Sequence, residues 1–155
     1  MAKNFIDKDW VDKFWVNLNR TSQMLKSAFS AEVKKSGHKI LTEQWVILMS
    51  LHQKGPLSQV EIAKLNYKHT PSISRSLNFL EKKNLIKRVV SSDDKRYVKV
   101  HLLEEGEALI ADLYPNVLSI REQSWNGLTE KDFNELIRIL SKVQDNLLSA
   151  GSKKE

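Results

Sequence analysis

The stretch from Thr70 to Lys83, TPSISRSLNFLEKK, constrains this chain more than any other. The Thr70 hydroxyl can accept a free backbone N–H at a helix start, and Pro71 has no N–H to lose there. Ile73, Leu77 and Leu80 recur at i, i+4 and i+7 and form one buried stripe. At about 100° per residue, Pro71, Arg75, Asn78 and Lys82 fall on the opposite face, with Ser72, Ser74 and Ser76 beside them. A guanidinium and an amide suit bidentate hydrogen bonds to guanine and adenine edges, and small serines let a backbone approach closely. An ordinary solvated helix face would look similar, so the neighbouring segments decide the matter.

Upstream, Thr42 is expected to cap a helix carrying Trp45, Val46, Leu48, Met49 and His52, which Gly55-Pro56 ends. Ser58 and Glu61 form an S-x-x-E capping box before a short helix through Ile62, Ala63 and Leu65. After a brief turn at 66–69, the basic, serine-rich helix follows, which is the helix-turn-helix order. Downstream, Asn84 stands where a left-handed residue is wanted, a conformation Asn tolerates well. Ile86 to Val90 reads as a strand, and Tyr97 to Leu102 alternates, with Val98, Val100 and Leu102 facing inward. The polar tip between them, residues 91–96, holds Lys95 and Arg96, either as nucleic-acid contacts or simply as solubilising charges. The expected fold is therefore mainly α with a small β-hairpin wing: a winged helix-turn-helix flanked by helices.

The flanks are amphipathic. Residues 8–35 predict one long helix with Trp10, Phe14, Leu18, Thr21, Leu25 and Phe29 on one face. Such a row is either core or a contact with a second subunit. A helix from Glu104 to about Trp125 contains Pro115, which should kink or split it. Thr129 suits an N-cap for the last helix, where Phe133, Leu136, Leu140, Val143 and Leu147 follow a near-heptad spacing. The chain accordingly divides into an N-terminal helix (1–37), a winged helix (38–103) and C-terminal helices (104–155).

Charge supports that division. Residues 58–103 hold ten Lys/Arg against four Asp/Glu, a net +6, whereas residues 104–155 hold six against ten, a net −4. A basic middle beside an acidic end suggests a polyanion-binding region joined to a part with another task. The N-terminal segment is charged and has no apolar run, and no stretch is long enough to span a bilayer, so a cytoplasmic location is expected. There is no cysteine, which rules out disulfides and thiolate chemistry.

Enzyme readings find little support. The five glycines, at 37, 55, 106, 127 and 151, sit at helix ends or turns and build no phosphate-cradling loop. His38, His52, His69 and His101 lack metal-ligand spacing, and Asp93-Asp94 on a hairpin tip has no pocket to shift a pKa. A non-enzyme without cofactor or metal is expected.

Four segments in register carry a resemblance: Ser74-Arg75 through Leu80-Glu81, Leu85-Ile86-Lys87-Arg88, Asp94-Lys95-Arg96, and Leu102-Leu103-Glu104-Glu105-Gly106. Together they resemble the recognition helix, first wing strand, D-x-R wing tip and L-T-x-x-G helix start of the MarR family of bacterial transcription regulators. The resemblance runs from about residue 10 to residue 148. Three positions depart from the family pattern: Asn84 for glycine, Leu103 for a capping threonine, and Phe79 for a polar or basic residue. The resemblance implies a homodimer bound to pseudo-palindromic double-stranded DNA. One recognition helix would enter the major groove of each half-site, and each wing would reach the minor groove. Contacts would come from Thr70, Pro71, Ser72, Ser74, Arg75, Asn78, Lys82, Lys95 and Arg96, with Asp94 orienting Arg96. The dimer interface would use Trp10, Phe14, Phe133, Leu136, Leu140, Val143 and Leu147. It further implies a repressor released by a small aromatic or phenolic effector, bound by Trp15, Leu18, Ser22, Trp45, Met49 and His52, unless those side chains simply fill the core. The alternative from another class is a winged-helix protein–protein adaptor that does not bind specific DNA.

Overall fold

A computed structural model describes residues 8–66, 70–90 and 97–151. Its elements, in order, are α1 (Lys8–Lys35), α2 (Thr42–Lys54), β1 (Leu57–Ser58), α3 (Gln59–Leu65), α4 (Thr70–Lys82), β2 (Ile86–Val90), β3 (Val98–Leu102), α5 (Glu104–Trp125) and α6 (Glu130–Gly151). The chain packs as two compact units, Met1–Ile120 and Arg121–Glu155. No helix among the described residues is long and apolar enough to cross a membrane.

In the first unit, α4 buries Ile73, Leu77 and Leu80 against Ile47, Leu48 and Leu51 of α2, Ile62 of α3, and Leu113 of α5. Most of these side chains have almost no exposed surface, and each such burial stabilises the fold by about 1.5–3 kcal/mol before entropy is charged. The three strands form an antiparallel sheet in the order β1-β3-β2. β2 pairs with β3 from Ile86↔Leu102 to Val90↔Val98, and β1 pairs its two residues with Val100 and Lys99. Val100 faces the core as expected, whereas Val98 is exposed. The β1 strand was not expected: two residues are too few to show an alternation.

Three local features seat the winged helix. Asn84 has φ 58°, and α4 closes with Asn84 N–H donating to Glu81 O at 2.9 Å and Leu85 N–H donating to Leu80 O at 3.0 Å. This is a Schellman motif, with Leu80 and Leu85 both buried as its apolar contact. Asn84 also donates through Nδ2 to Glu105 of α5 at 2.7 Å, a bond glycine would not supply. At the start of α5, Gly106 is buried so closely beneath the chain that a Cβ there would collide with the Leu85 carbonyl and the Leu102 side chain.

Caps are partly as expected. Ser58 and Glu61 make both bonds of their box, at 2.7 and 3.2 Å. Thr42 is not the cap of α2. That helix begins at Thr42 with Leu41 ahead of it, and the Gln44 side chain reaches back to accept the Leu41 N–H at 2.9 Å. Thr129 caps α6 through a reciprocal pair with Asp132. Pro115 does not split α5, which continues through it to Trp125.

In α1, Phe29 and Val33 are buried, while Trp10, Trp15, Val16 and Leu18 lie exposed at 69, 63, 64 and 42%. In the second unit, α6 exposes Phe133, Leu136, Ile137 and Leu147, and Leu140 and Val143 are half-buried. Trp125 packs edge-on against Phe133 with ring centres 5.3 Å apart.

Candidate nucleic-acid interface

The buried stripe of α4 fixes which residues it turns outward. With Ile73, Leu77 and Leu80 sealed in the core, Pro71, Arg75, Asn78 and Lys82 are exposed, and Ser72, Ser74 and Ser76 are half-buried beside them. Thr70 begins the helix, but the placement of its side chain lies outside what is described, as do Asp94, Lys95 and Arg96 of the tip.

A support for that outward face was not read from the sequence. Arg88, on β2, donates through Nη2 to Asn78 Oδ1 at 2.8 Å and through Nη1 to Glu81 Oε2. The Arg88 backbone N–H also donates to Glu81 Oε1 at 3.0 Å. A planar guanidinium thus spans the helix and the strand, holding the amide of Asn78 by its oxygen end. The signal was present in the strand period, which puts Arg88 on the same side as Ile86 and hence toward α4. What could not be read was how close the turn at Asn84 would bring the two elements.

Electrostatically, the outward face of α4 bears Arg75 and Lys82 and no carboxylate, since Glu81 is engaged with Arg88. The strand register adds Lys87 opposite His101, and Lys99 beside Val89 on the same sheet face. Lys99 lies near Glu61, whose carboxyl is held below its usual range mainly by the Ser58 backbone N–H, then by the Ser58 hydroxyl.

The six residues expected around an effector have different surroundings in the single chain. Trp45 is buried and packs against Phe29 with ring centres 5.8 Å apart. Trp15, Leu18 and Ser22 lie on the exposed part of α1. Met49 and His52 line a cleft of about 390 Å³ with Gln53, Glu107, Ile110, Ala111, Tyr114 and Pro115. There His52 Nδ1 meets Glu107 Oε2 at 2.7 Å, just as His38 Nε2 meets Asp112 Oδ2 at 2.7 Å nearer the middle of α5. Among the described residues no group of three or more His, Asp or Glu side chains is placed to hold a metal ion. Of the expected interface residues, Trp10 and Leu147 are the most exposed, at 69 and 67%, and Phe14 is half-buried.

Residues 41–98 match the model of the MarR family. Among solved structures, the chain is similar to a MarR family regulator, Sco3205 from Streptomyces coelicolor, in complex with DNA. That match has a TM-score of 0.82 and 18% identity over 95% of this chain and 93% of that one. A probable transcriptional regulator from Pseudomonas aeruginosa matches with TM-score 0.75 and 23% identity over 86% and 98% of the two chains. Bordetella bronchiseptica BpsR, whose DNA binding is regulated by 6-hydroxynicotinic acid, matches with TM-score 0.72 and 24% identity over 83% and 90%. At these identities the structural likeness establishes the winged-helix fold.

Proposed function

The winged helix of this chain is a MarR-family winged helix, and from that premise we propose that the protein is a sequence-specific, double-stranded DNA-binding transcriptional regulator acting as a homodimer. The observation that carries the reading is the division of α4 into a sealed apolar stripe and an outward face of Arg75, Asn78 and Lys82. In this reading α4 enters the major groove of each half-site of a pseudo-palindromic operator. Arg75 and Asn78 then read base edges, while Lys82, Ser72 and Ser74 meet phosphates. The wing tip, with Asp94 orienting Arg96, enters the flanking minor groove, where the negative potential is enhanced. The DNA complex of Sco3205 supports this use of the fold by analogy.

Homodimerisation is supported by the apolar rows of α1 and of α6, each exposed in the single chain beyond what a solvated helix carries. A second copy covering those rows would remove them from water. The regulation of BpsR by 6-hydroxynicotinic acid supports, again by analogy, a repressor that a small aromatic effector releases. Such an effector must bind the DNA-incompetent dimer more tightly; a hundredfold population shift needs about 2.7 kcal/mol of differential affinity.

The test is selection of bound sites from random DNA, followed by titration of the selected site at several salt concentrations. Arg75→Ala should lose about 1–3 kcal/mol on the selected site and relax preference at one position per half-site. Equal losses on selected and random DNA would show Arg75 to be a backbone contact. Failure to enrich any sequence would overturn the reading.

A further inference from the structure

Asn126 is the only asparagine of the chain that is followed by glycine. With Gly127 it forms the exposed turn between α5 and α6, inside the second compact unit. Among the described residues, neither the Asn126 side chain nor the Gly127 N–H has a hydrogen-bond partner. Two backbone bonds border the turn: Asn126 N–H donates to Gln123 O at 3.4 Å, and Leu128 N–H donates to Trp125 O at 3.0 Å. Gly127 adopts φ 81°, and the space beside it is open, since a Cβ there would meet nothing within 4 Å.

These features are what one reaction of the chain with itself requires. A backbone nitrogen can attack the side-chain carbonyl of the asparagine before it when its own N–H is free and no side chain crowds it. Glycine crowds it least and leaves the backbone the widest choice of dihedral angles. Elsewhere the chain withholds these conditions. Asn17, Asn66, Asn84 and Asn116 each commit Nδ2 to an oxygen, and Arg88 holds Asn78 by its oxygen end. Asn19, Asn134 and Asn146 lie inside α1 and α6, where the next N–H is bonded along the helix.

We propose that Asn126 is a modification site, at which the α5–α6 turn deamidates spontaneously. Hydroxide takes the Gly127 N–H proton, and the nitrogen forms a bond to Asn126 Cγ. The Cγ–Nδ2 bond breaks, Nδ2 leaves as ammonia, and a five-membered succinimide joins the two residues. Water then opens the ring. Breaking the bond from the Gly127 nitrogen to Cγ gives aspartate. Breaking its bond to the Asn126 backbone carbonyl carbon gives isoaspartate, whose main chain is one methylene longer. In sum, one water is consumed, one ammonia is released and nothing is oxidised or reduced.

Either product places a carboxylate just beyond α5, whose last turn carries no basic residue and which already holds Glu122 four residues earlier. An anion is unfavourable beside the free carbonyls of a helix end. The isoaspartate also stretches the span that the Leu128–Trp125 bond closes, next to the packing of Trp125 on Phe133. The modification thus loosens the turn that leads into α6.

The experiment incubates the full folded chain in mildly alkaline buffer, with a parallel sample unfolded in urea. Peptide mapping by mass spectrometry and labelling with an isoaspartyl methyltransferase then follow each asparagine. In the folded chain, isoaspartate should accumulate first at position 126 and faster as pH rises. Opening this turn breaks little more than one sound hydrogen bond, so folding should lengthen the half-time of Asn126 by no more than about tenfold. Asn126→Gln should lose most of the label and keep the helical circular dichroism of the wild type. Label that persists in Asn126→Gln, earlier conversion of another asparagine in the folded chain, or strong protection of Asn126 by folding would each overturn the proposal. None of these readouts involves DNA. Modification of a chain that binds no DNA would refute the regulator alone, and an unmodified Asn126 in a DNA-binding chain would refute this site alone.

Discussion

Arg88 Nη2 donates to Asn78 Oδ1 at 2.8 Å, joining the first wing strand to the outward face of α4. Because the amide oxygen is fixed by a guanidinium, the flip state of Asn78 is set from behind rather than by the groove it faces. An amide held in one orientation presents one donor–acceptor order to an adenine edge. Lysine cannot reproduce this, since a point-like ammonium lacks the fork that reaches Asn78 and Glu81 together. Arg88→Lys should therefore relax base preference at the Asn78 position and cost about 1 kcal/mol on the selected site. Site selection with the variant checks this; an unchanged preference would mean Asn78 is oriented by the DNA alone.

Gly106 is required by space. A methyl group there meets the Leu85 carbonyl, a backbone atom that cannot rotate away. Gly106→Ala should destabilise the winged helix by about 1–3 kcal/mol despite alanine's better helix propensity. Urea unfolding measures the loss; a gain in stability would mean α5 shifts freely off the sheet.

For assembly, the informative position is in α6. Leu136 is 43% exposed in the single chain, so a charge there is tolerated by an isolated subunit. Buried in an interface without a partner, the same charge is costly. Leu136→Glu should shift wild-type dimers to folded monomers in sedimentation velocity and leave the helical circular dichroism largely intact. Wild-type monomers at micromolar concentration would refute the dimer.

Two caps predict a pH dependence. The Asp132 carboxyl is held below its usual range by the Thr129 hydroxyl and then the Thr129 backbone N–H. The Glu61 carboxyl is lowered first by the Ser58 backbone N–H and then by its hydroxyl. In each, the folded pKa lies below the unfolded one, so the stabilisation is present above the ordinary carboxylate range and is lost as pH falls through the lowered value. Protection of the amides at the starts of α3 and α6, corrected for the intrinsic exchange rate at each pH, should fall on acidification below about pH 4, ahead of the buried residues of α4. Asp132→Asn should remove much of the acid-dependent part in α6.

Elements with a local signature were legible in the sequence. The stripe of Ile73, Leu77 and Leu80, the left-handed Asn84 and the strand at Ile86–Val90 all follow from spacing and residue chemistry. What escaped depended on partners distant in the chain. Leu57 and Ser58 become a strand only because Val100 and Lys99 lie alongside. Trp45 packs against Phe29 because α1 buries Phe29 and Val33 in its last turns. Thr42 is the first residue of α2 rather than its cap, and the Gln44 side chain folds back to accept the Leu41 N–H. The outward face of α4 could be listed from periodicity, but its bracing by Arg88 needed the turn geometry.

The pinning of the wing's base has an evolutionary consequence. Leu85 O accepts from Leu103 N–H at 3.0 Å directly under Gly106, and β3 is bonded on both sides, to β1 and to β2. The two ends of the hairpin are thereby held in place independently of whatever joins Val90 to Tyr97. Extra residues inserted there would cost only about 0.6 kcal/mol per doubling of loop length and would leave α4 unmoved. The reach of this segment can thus lengthen or shorten across generations as a separately adjustable trait, while the helix beside it keeps its register.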